Sequence, residues 1–551
     1  MIDRAVQSRV QEAPSLTARW AKSSRWLPRV LAMAMIAYWL LVKCVLFRRL
    51  EYSDDLFTNL ELTRTVFEGR PLLWENAYGN HKAFHNYYLA PLLYPLTRFL
   101  GAYGLFVTQA LFSGWSVWKI LDRARDLAHW KRTLYWATVA AIGLGPVAFW
   151  IFDDPVFGFH YELLFVPLSV LFALSLSKGS KAAWVFAGLI VLTREEGPVL
   201  AWCIHVLHEV LNAEAGTDFS GRTGLFRRLL CITLGWLVVF MVGMGLLLVM
   251  GGASHGRLGA ALPGLRAVIQ DPVTRGYFIA SLADAALLLA AGSIVYLTGI
   301  PTRGLIASTL VSLVLIVPTT IAASVYKTSA REHGIAWPPR FALFWGVALA
   351  GCLFAIERAR APSLAALRRG RAAVAIVVAG SIVAQIAVLG VRKRYDFISR
   401  ITLNEFFAPT SLVALVVPET TLRAFLSRPR FVSAALTDAE DAFLTCLGRD
   451  LPHLTPVAAT GGLFGRFHQQ DLVWADRVEI AWKPPELVIC DASGRIRFDD
   501  GCLKLAQSLP DASFEALHFG NISVRYARGP KAVVEACATS AAPAAGAAQQ
   551  H

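Results

Sequence analysis

WLPRVLAMAMIAYWLLVKCVLF, Trp26 to Phe47, decides the class of this protein. The run approaches the ~20 apolar residues that an α-helix needs to cross about 30 Å of hydrocarbon. Three more of its kind follow, Leu229 to Met250, Tyr277 to Thr298 and Ala372 to Val391. The 551-residue chain is 55% hydrophobic and only 17% charged, with a mean hydropathy of +0.49, whereas soluble domains carry about a quarter charged residues. The balance excludes an ordinary soluble protein and predicts a mainly α, polytopic transmembrane bundle. Only helices fit, because no alternating β-barrel pattern occurs and lipid offers no partner to unpaired backbone groups.

The first run follows a basic, polar leader over 1–25 (Arg4, Arg9, Arg19, Lys22, Arg25) and lacks an A-x-A cleavage site. It therefore reads as a retained helix with a cytoplasmic N-terminus. The net charge of +14 does not call for nucleic acid, since the cations gather in short loops beside spans, as the positive-inside rule requires. That rule puts Asp122 to Arg132, Ser177 to Lys181, Asn212 to Arg228, Pro301 to Arg303 and Glu357 to Arg371 in the cytoplasm. Arg48 to Asn86, Asp153 to Glu162, Arg194 to Gly197, Gly251 to Gly276 and Ser324 to Arg340 then face outward. Tyr87 to Leu100 is apolar but short, with Pro91 and Pro95, and reads as half-inserted. About eleven crossings result over 26–391 by the ~20-residue criterion, which puts the C-terminus in the periplasm of a bacterial inner-membrane protein.

After Val391 the composition changes. Segment 392–537 reads as a small soluble α/β domain with strands at Pro456 to Thr460, Leu487 to Cys490 and Ile522 to Ala527, and the Ala/Gln-rich tail 538–551 as disordered. Cys44, Cys203, Cys231 and Cys352 lie in apolar runs and read as packing residues. Cys446, Cys490, Cys502 and Cys537 lie in the C-terminal region, and a periplasmic location would allow a Cys490–Cys502 disulfide. No Cys/His metal spacing occurs.

Three outward edges collect ionisable groups. The loop after the first helix carries Asp54 and Asp55, then Glu61, His81, Lys82 and His85; FDDPVFGFHYELLF (Phe152 to Phe165) adds His160 and Glu162; LTREEGPVL (Leu192 to Leu200) adds Arg194, Glu195 and Glu196. Ordinary solvation of helix ends would account for any one of these, but all three fall on one side, and charges at membrane depth pair or face a polar cavity. A rim of this kind suits a polar group on a lipid carrier: a carboxylate can take a proton from an attacking hydroxyl, and arginine or lysine can hold a phosphate. The carboxylates could also hold Mg or Mn; beyond that no cofactor is implied. No P-loop, GxSxG or HExxH occurs.

The order of these segments resembles the bacterial membrane-protein family called domain of unknown function 2079. YSDDLF with Asp55, EGRPL (Glu68 to Leu72), HKAFHNYYLAPLLY with His81, FHYE with His160 and Glu162, and Arg194-Glu195-Glu196 resemble its successive motifs, with Tyr161 replacing a proline and Arg194 a lysine. That family is similar to the GT-C superfamily of glycosyltransferases using polyprenyl-phosphate sugars. The resemblance implies a GT-C-like membrane enzyme that moves a sugar from a polyprenyl-phosphate donor to a cell-envelope glycan or protein. Asp55 would be the base, with Asp54 as its alternative. His81, His160, Glu162 and Glu195 would shape the substrate site, and Arg194 and Lys82 would neutralise the donor phosphate. Two other readings compete: a transporter or lipid flippase, which predicts paired broken helices, and a non-catalytic assembly protein, which predicts that Asp55 and His160 lie far apart.

Overall fold

The structure is a computed structural model that describes residues 26–50, 52, 54–80, 85–128, 131, 132, 135, 136, 139, 158–214, 221–249, 270, 338–358, 436–494, 496 and 501–547. The protein is mostly helical with a small sheet region. Helix α1 (Leu27–Arg48) carries Pro28 in its first turn and ends on an arginine. A short helix α2 (Asp54–Arg64) and a 3₁₀ turn (Thr65–Glu68) follow, then a two-stranded ribbon, β1 (Trp74–Glu75) with β2 (Gly79–Asn80). The short apolar segment forms a 3₁₀ turn (Ala90–Leu93) and helix α3 (Tyr94–Leu100) before Gly101 reverses it into α4 (Ala102–Arg125).

Helices α1 and α4 run antiparallel: Gly114 of α4 lies against Ile36, and Phe47 at the end of α1 meets the rings of Tyr103 (5.0 Å) and Phe106 (5.7 Å). Gly114 has no room for a side chain, the usual device for close helix approach in membranes. Next come α5 (Phe165–Ser177), α6 (Ala182–Thr193), α7 (Gly197–Glu214), α8 (Gly221–Val249) and α9 (Pro338–Arg358). Every residue of α5 from Phe165 to Leu174 is buried, because a helix apolar on all sides belongs at the centre of a bundle; it packs against α4, α6, α7 and α9. At one end of this bundle Arg123 pairs with Glu357 (2.7 Å) and Arg358 donates to Asn212 (2.6 Å), so three segments assigned by their cations to one side do meet.

By length and composition two helices can cross a membrane among the described residues, Leu27–Arg48 and Gly224–Leu246. Tyr161–Ser177 and Ala182–Thr193 are apolar but shorter. The 12 residues of α6 rise only about 18 Å, because Arg194 adopts extended backbone (φ −169°, ψ 166°) and ends the helix. The runs Tyr277 to Thr298 and Ala372 to Val391, two of the expected crossings, lie outside the described residues.

The C-terminal domain is a five-stranded sheet in the order β4-β3-β5-β7-β6, where β3 is Pro456–Ala459, β4 Asp471–Val473, β5 Leu487–Asp491, β6 Glu515–Phe519 and β7 Ile522–Tyr526. Strand β3 lies parallel to β4 and β5, and β7 antiparallel to β5 and β6. Strands β3 and β5 are buried at every position, as parallel strands covered on both faces are. Helix α10 (Asp438–Asp450) opens with a Thr437/Glu440 capping box and packs on α12 (Lys531–Ala547), while α11 (Cys502–Ser508) covers β5. Disulfides join Cys490 to Cys502 and Cys446 to Cys537. The second pins α12 to α10, and the tail expected to be disordered from Ala538 instead continues that helix to Ala547. Alanine has the highest helix propensity of any residue, and the anchored first turns of α12 nucleate its alanine-rich remainder.

The domain seats on the bundle through α2, which is buried at every residue from Leu56 to Arg64. Phe57 meets Phe464 (ring centroids 5.5 Å), and Arg64 donates to the carbonyls of Gln470 (2.7 Å) and His468. Gly101, at φ +56° and ψ −135°, lies directly beneath the His468 ring. That backbone region is open to glycine alone, so Gly101→Ala combines strain with a clash. We expect it to destabilise the protein by at least about 2 kcal/mol, read as a lower thermal midpoint of the detergent-solubilised chain.

Candidate functional site at the helix ends

Helix α2 presents opposite ends to two charge clusters. At its start, Asp55 places Oδ2 3.8 Å from His160 Nε2, and the far side of that imidazole, Nδ1, lies 3.7 Å from Glu162 Oε2. Asp55 is 28% exposed, whereas the side chains of His160 (8%) and Glu162 (4%) lie behind it. His160 is extended backbone just before the 3₁₀ turn Tyr161–Leu164. Positions two apart on a helix do not share a face, but the extended backbone at His160 lets both side chains enter one cluster.

Glu162 is held by groups from two further segments. Its Oε1 accepts from Arg194 Nη1 (2.7 Å) and from the Tyr87 hydroxyl (2.8 Å). Arg194 also faces Glu196 (3.0 Å) and Glu195 (3.5 Å), and its guanidinium lies against His85, with Nε 3.1 Å from Nδ1 and Nη2 3.2 Å from Nε2. His85 Nδ1 in turn lies 2.9 Å from Glu195 Oε1. Below this row, Tyr161 donates to the Asn59 carbonyl (2.8 Å), and Asn59 Nδ2 donates to the Phe159 carbonyl (3.0 Å). Lys43, buried in the last turns of α1, donates to the Gly158 carbonyl. The segment Gly158 to His160 is thus fixed from α1 and α2 together.

Asp55, His160, Glu162, Arg194 and Glu195 therefore form one continuous row. Asp54 is the first residue of α2; its side chain, His81 and Lys82 lie outside the described residues. Arg194 is committed to carboxylates rather than open to a phosphate. His85, Glu196 and Tyr87 also belong to the row; the sequence places His85 and Glu196 on the outward edges without assigning them a part in the substrate site, and does not single out Tyr87. His85 and Glu196 stand beside residues that it does select, while Tyr87 carries no signal, since a tyrosine in an apolar segment is ordinarily packing.

The row does not fit a divalent cation. Asp55 and Glu162 approach opposite nitrogens of His160, so their oxygens diverge, and Glu162 is neutralised by Arg194. Among the described residues, the one group of three or more metal-ligand side chains whose donor atoms converge is Cys446, Asp450 and Cys537, where both sulfurs are spent in a disulfide.

The second cluster, at the far end of α2, is the joint with the C-terminal domain. Asn76 donates to Glu61 from its backbone (2.8 Å) and to Asp471 from its side chain (2.7 Å), and Arg70 pairs with Asp471 (2.6 Å). Burial raises the Glu61 carboxyl to about 8, against the pull of Arg70, and burial likewise raises Glu68. Burial, helped by Arg64 and Arg466, holds His468 neutral, down to about 3. A carboxyl raised in the fold stabilises fully below its unfolded value of 4.5 and loses that contribution as pH rises through about 8. A depressed histidine stabilises above 6.5 and loses its contribution as pH falls toward 3. Between pH 6.5 and 8 the Glu61 effect stands unopposed by His468, so the thermal midpoint should fall across that window. Glu61→Gln should flatten the fall, which reaches a few kcal/mol by linkage; a midpoint equally steep in the variant would show that Glu61 does not drive it.

No protein-family model matches the chain. Neither does any curated protein or any solved structure. What the site does must accordingly be argued from its own chemistry.

Proposed function

We propose that the protein is a membrane glycosyltransferase that moves a sugar from a polyprenyl-phosphate donor to a hydroxyl of a cell-envelope glycan or protein on the periplasmic side of a bacterial inner membrane. The observation that carries this reading is the approach of Asp55 to His160, side chains 105 positions apart in the chain, within 3.8 Å at a partly exposed carboxylate. A non-catalytic assembly role predicts the reverse. The two disulfides support an oxidising compartment for the C-terminal domain.

In this reading the acceptor hydroxyl gives its proton to Asp55 as its oxygen attacks the anomeric carbon. The bond from that carbon to the phosphate oxygen breaks, and its electron pair leaves with the polyprenyl phosphate. The His160 imidazole, set between Asp55 and Glu162 at 3.8 and 3.7 Å, acts on the base electrostatically rather than through a hydrogen bond. Arg194 holds Glu162 and so keeps His160 in line. Neutralising the donor phosphate falls to Lys82, because Arg194 is already engaged. No metal enters the scheme.

The test uses the purified full chain in vesicles that contain a polyprenyl phosphate bearing a labelled sugar, with a panel of sugars and soluble hydroxyl acceptors. Acceptor-dependent loss of label from the carrier is expected, unchanged by chelator. A chain that neither binds nor consumes any lipid-linked sugar would end the proposal. As a smaller check, Tyr87→Phe removes a hydroxyl donor to Glu162 while Arg194 stays in place, and should cost turnover only several-fold, by about 1 kcal/mol for one hydrogen bond.

A further inference from the structure

The end of the bundle that carries the rim site also bears an apolar surface. On the 3₁₀ turn Thr65–Glu68, Val66 and Phe67 are 53% and 57% exposed; on the neighbouring segment Leu92 is 59% and Phe99 81% exposed. Leu92, Pro95 and Phe99 recur at three and four residues and so share one face. The Phe67 ring stacks on Tyr94 at 4.4 Å and 9° between planes, which merges the two segments into one surface. The inner side of each is committed elsewhere: Thr97 is buried with its hydroxyl 2.7 Å from that of Thr63, and Thr65 is buried. Contiguous exposed apolar patches mark interaction sites.

The position of this patch identifies what covers it. Helix α1 is long and apolar enough to span a bilayer, and Phe47 in its last turn touches Tyr103 and Phe106 in the first turns of α4. Gly101 joins α4 directly to α3. Helix α3 therefore lies level with the end of a span, where hydrocarbon gives way to head groups. Arg98 is exposed among these apolar side chains, and an aromatic ring with a cation on an apolar face is the composition of an interfacial anchor.

We infer that this patch is a membrane-interface anchor: Val66, Phe67, Leu92 and Phe99 enter the boundary between head groups and acyl chains of the outer leaflet, and Arg98 meets lipid phosphates. Glu68, on the same turn, lies 3.5 Å from His453, and Arg64 just before it holds the carbonyls of His468 and Gln470. The anchor thus sets the height of the C-terminal domain above the membrane. It is independent of the transfer reaction and would hold for a membrane protein of any activity.

The test places spin labels at residues 92, 99 and, as a control on the exposed surface of the C-terminal domain, Ser508, each in a chain whose four free cysteines are replaced. The protein is reconstituted in phosphatidylethanolamine/phosphatidylglycerol vesicles. Labels at 92 and 99 should collide more with oxygen than with a water-soluble nickel chelate, and the order should reverse at 508. Nickel access at 92 and 99 equal to that at 508, or labels shielded from both relaxants by protein, would overturn the anchor. Because the cysteine replacements could disturb folding, a benzophenone at position 99 of the otherwise unchanged chain gives a second reading. Lipid adducts are expected, and adducts with protein alone would overturn the proposal.

Discussion

Asp55→Asn should reduce sugar transfer by about 10²–10⁴-fold, the range lost with a general base, while leaving the thermal midpoint and donor affinity near those of the parent. The amide keeps the size of the carboxylate and can still face His160, so the loss falls on the proton and not on packing. Asp55 is the member of the Asp55–His160–Glu162 series that combines exposure with an imidazole behind it. His160→Gln should lose less turnover than Asp55→Asn and should shift the pH dependence of what remains, because an ionisable ring no longer lies 3.8 Å from the base. Asp54→Asn separates the two adjacent carboxylates: a loss there with full activity in Asp55→Asn would move the base by one position.

The largest effect on stability should come from Arg194→Leu. Arg194 faces Glu162 at 2.7 Å, Glu196 at 3.0 Å and Glu195 at 3.5 Å, and the side chains of Glu162 and Glu195 are almost wholly buried. Removing the guanidinium takes from these carboxylates the cation they share, which costs about 3–5 kcal/mol for a buried pair broken on one side. Arg194→Lys should recover only part, since a single ammonium cannot serve several carboxylates in the plane that the guanidinium does. The double change Arg194→Leu with Glu162→Leu should recover more than Arg194→Leu alone, because replacing both members of a buried pair by apolar side chains is often neutral. A midpoint for Arg194→Leu within about 0.5 kcal/mol of the parent, the size of an ordinary surface change, would mean that these groups are not packed as described.

Much of this arrangement is legible in the residues themselves, and the reasons differ from element to element. Helix α1 declares itself by length and apolarity, and β3, β5 and β7 by short runs of β-branched and apolar residues. Strand β4 spans three residues and edge strand β6 has only half-buried or exposed positions, so neither carries a pattern that periodicity can detect. Cysteines 446 and 537 are 91 residues apart, and nothing local marks them as partners. Asp55, His160, Glu162 and Arg194 stand out because charge is costly beside apolar runs. Which of them touch is a tertiary fact: Arg194 reads from sequence as an open phosphate ligand, yet the fold spends it on three carboxylates. Glu61 reads from sequence as one ionisable group of an outward loop, yet α2 lies between bundle and sheet, and burial turns Glu61 and Arg64 into a joint.

A transferase site of this kind requires that segments distant in the chain meet on the outward side around one polar substrate. Single cysteines at positions 55, 196 and 178, placed in a chain without the four free cysteines and probed in intact cells with a membrane-impermeant maleimide, measure this. Positions 55 and 196 should be labelled from outside, and 178, in the basic turn between α5 and α6, only after permeabilisation. Labelling of 55 and 196 from opposite faces of the membrane would refute the shared site.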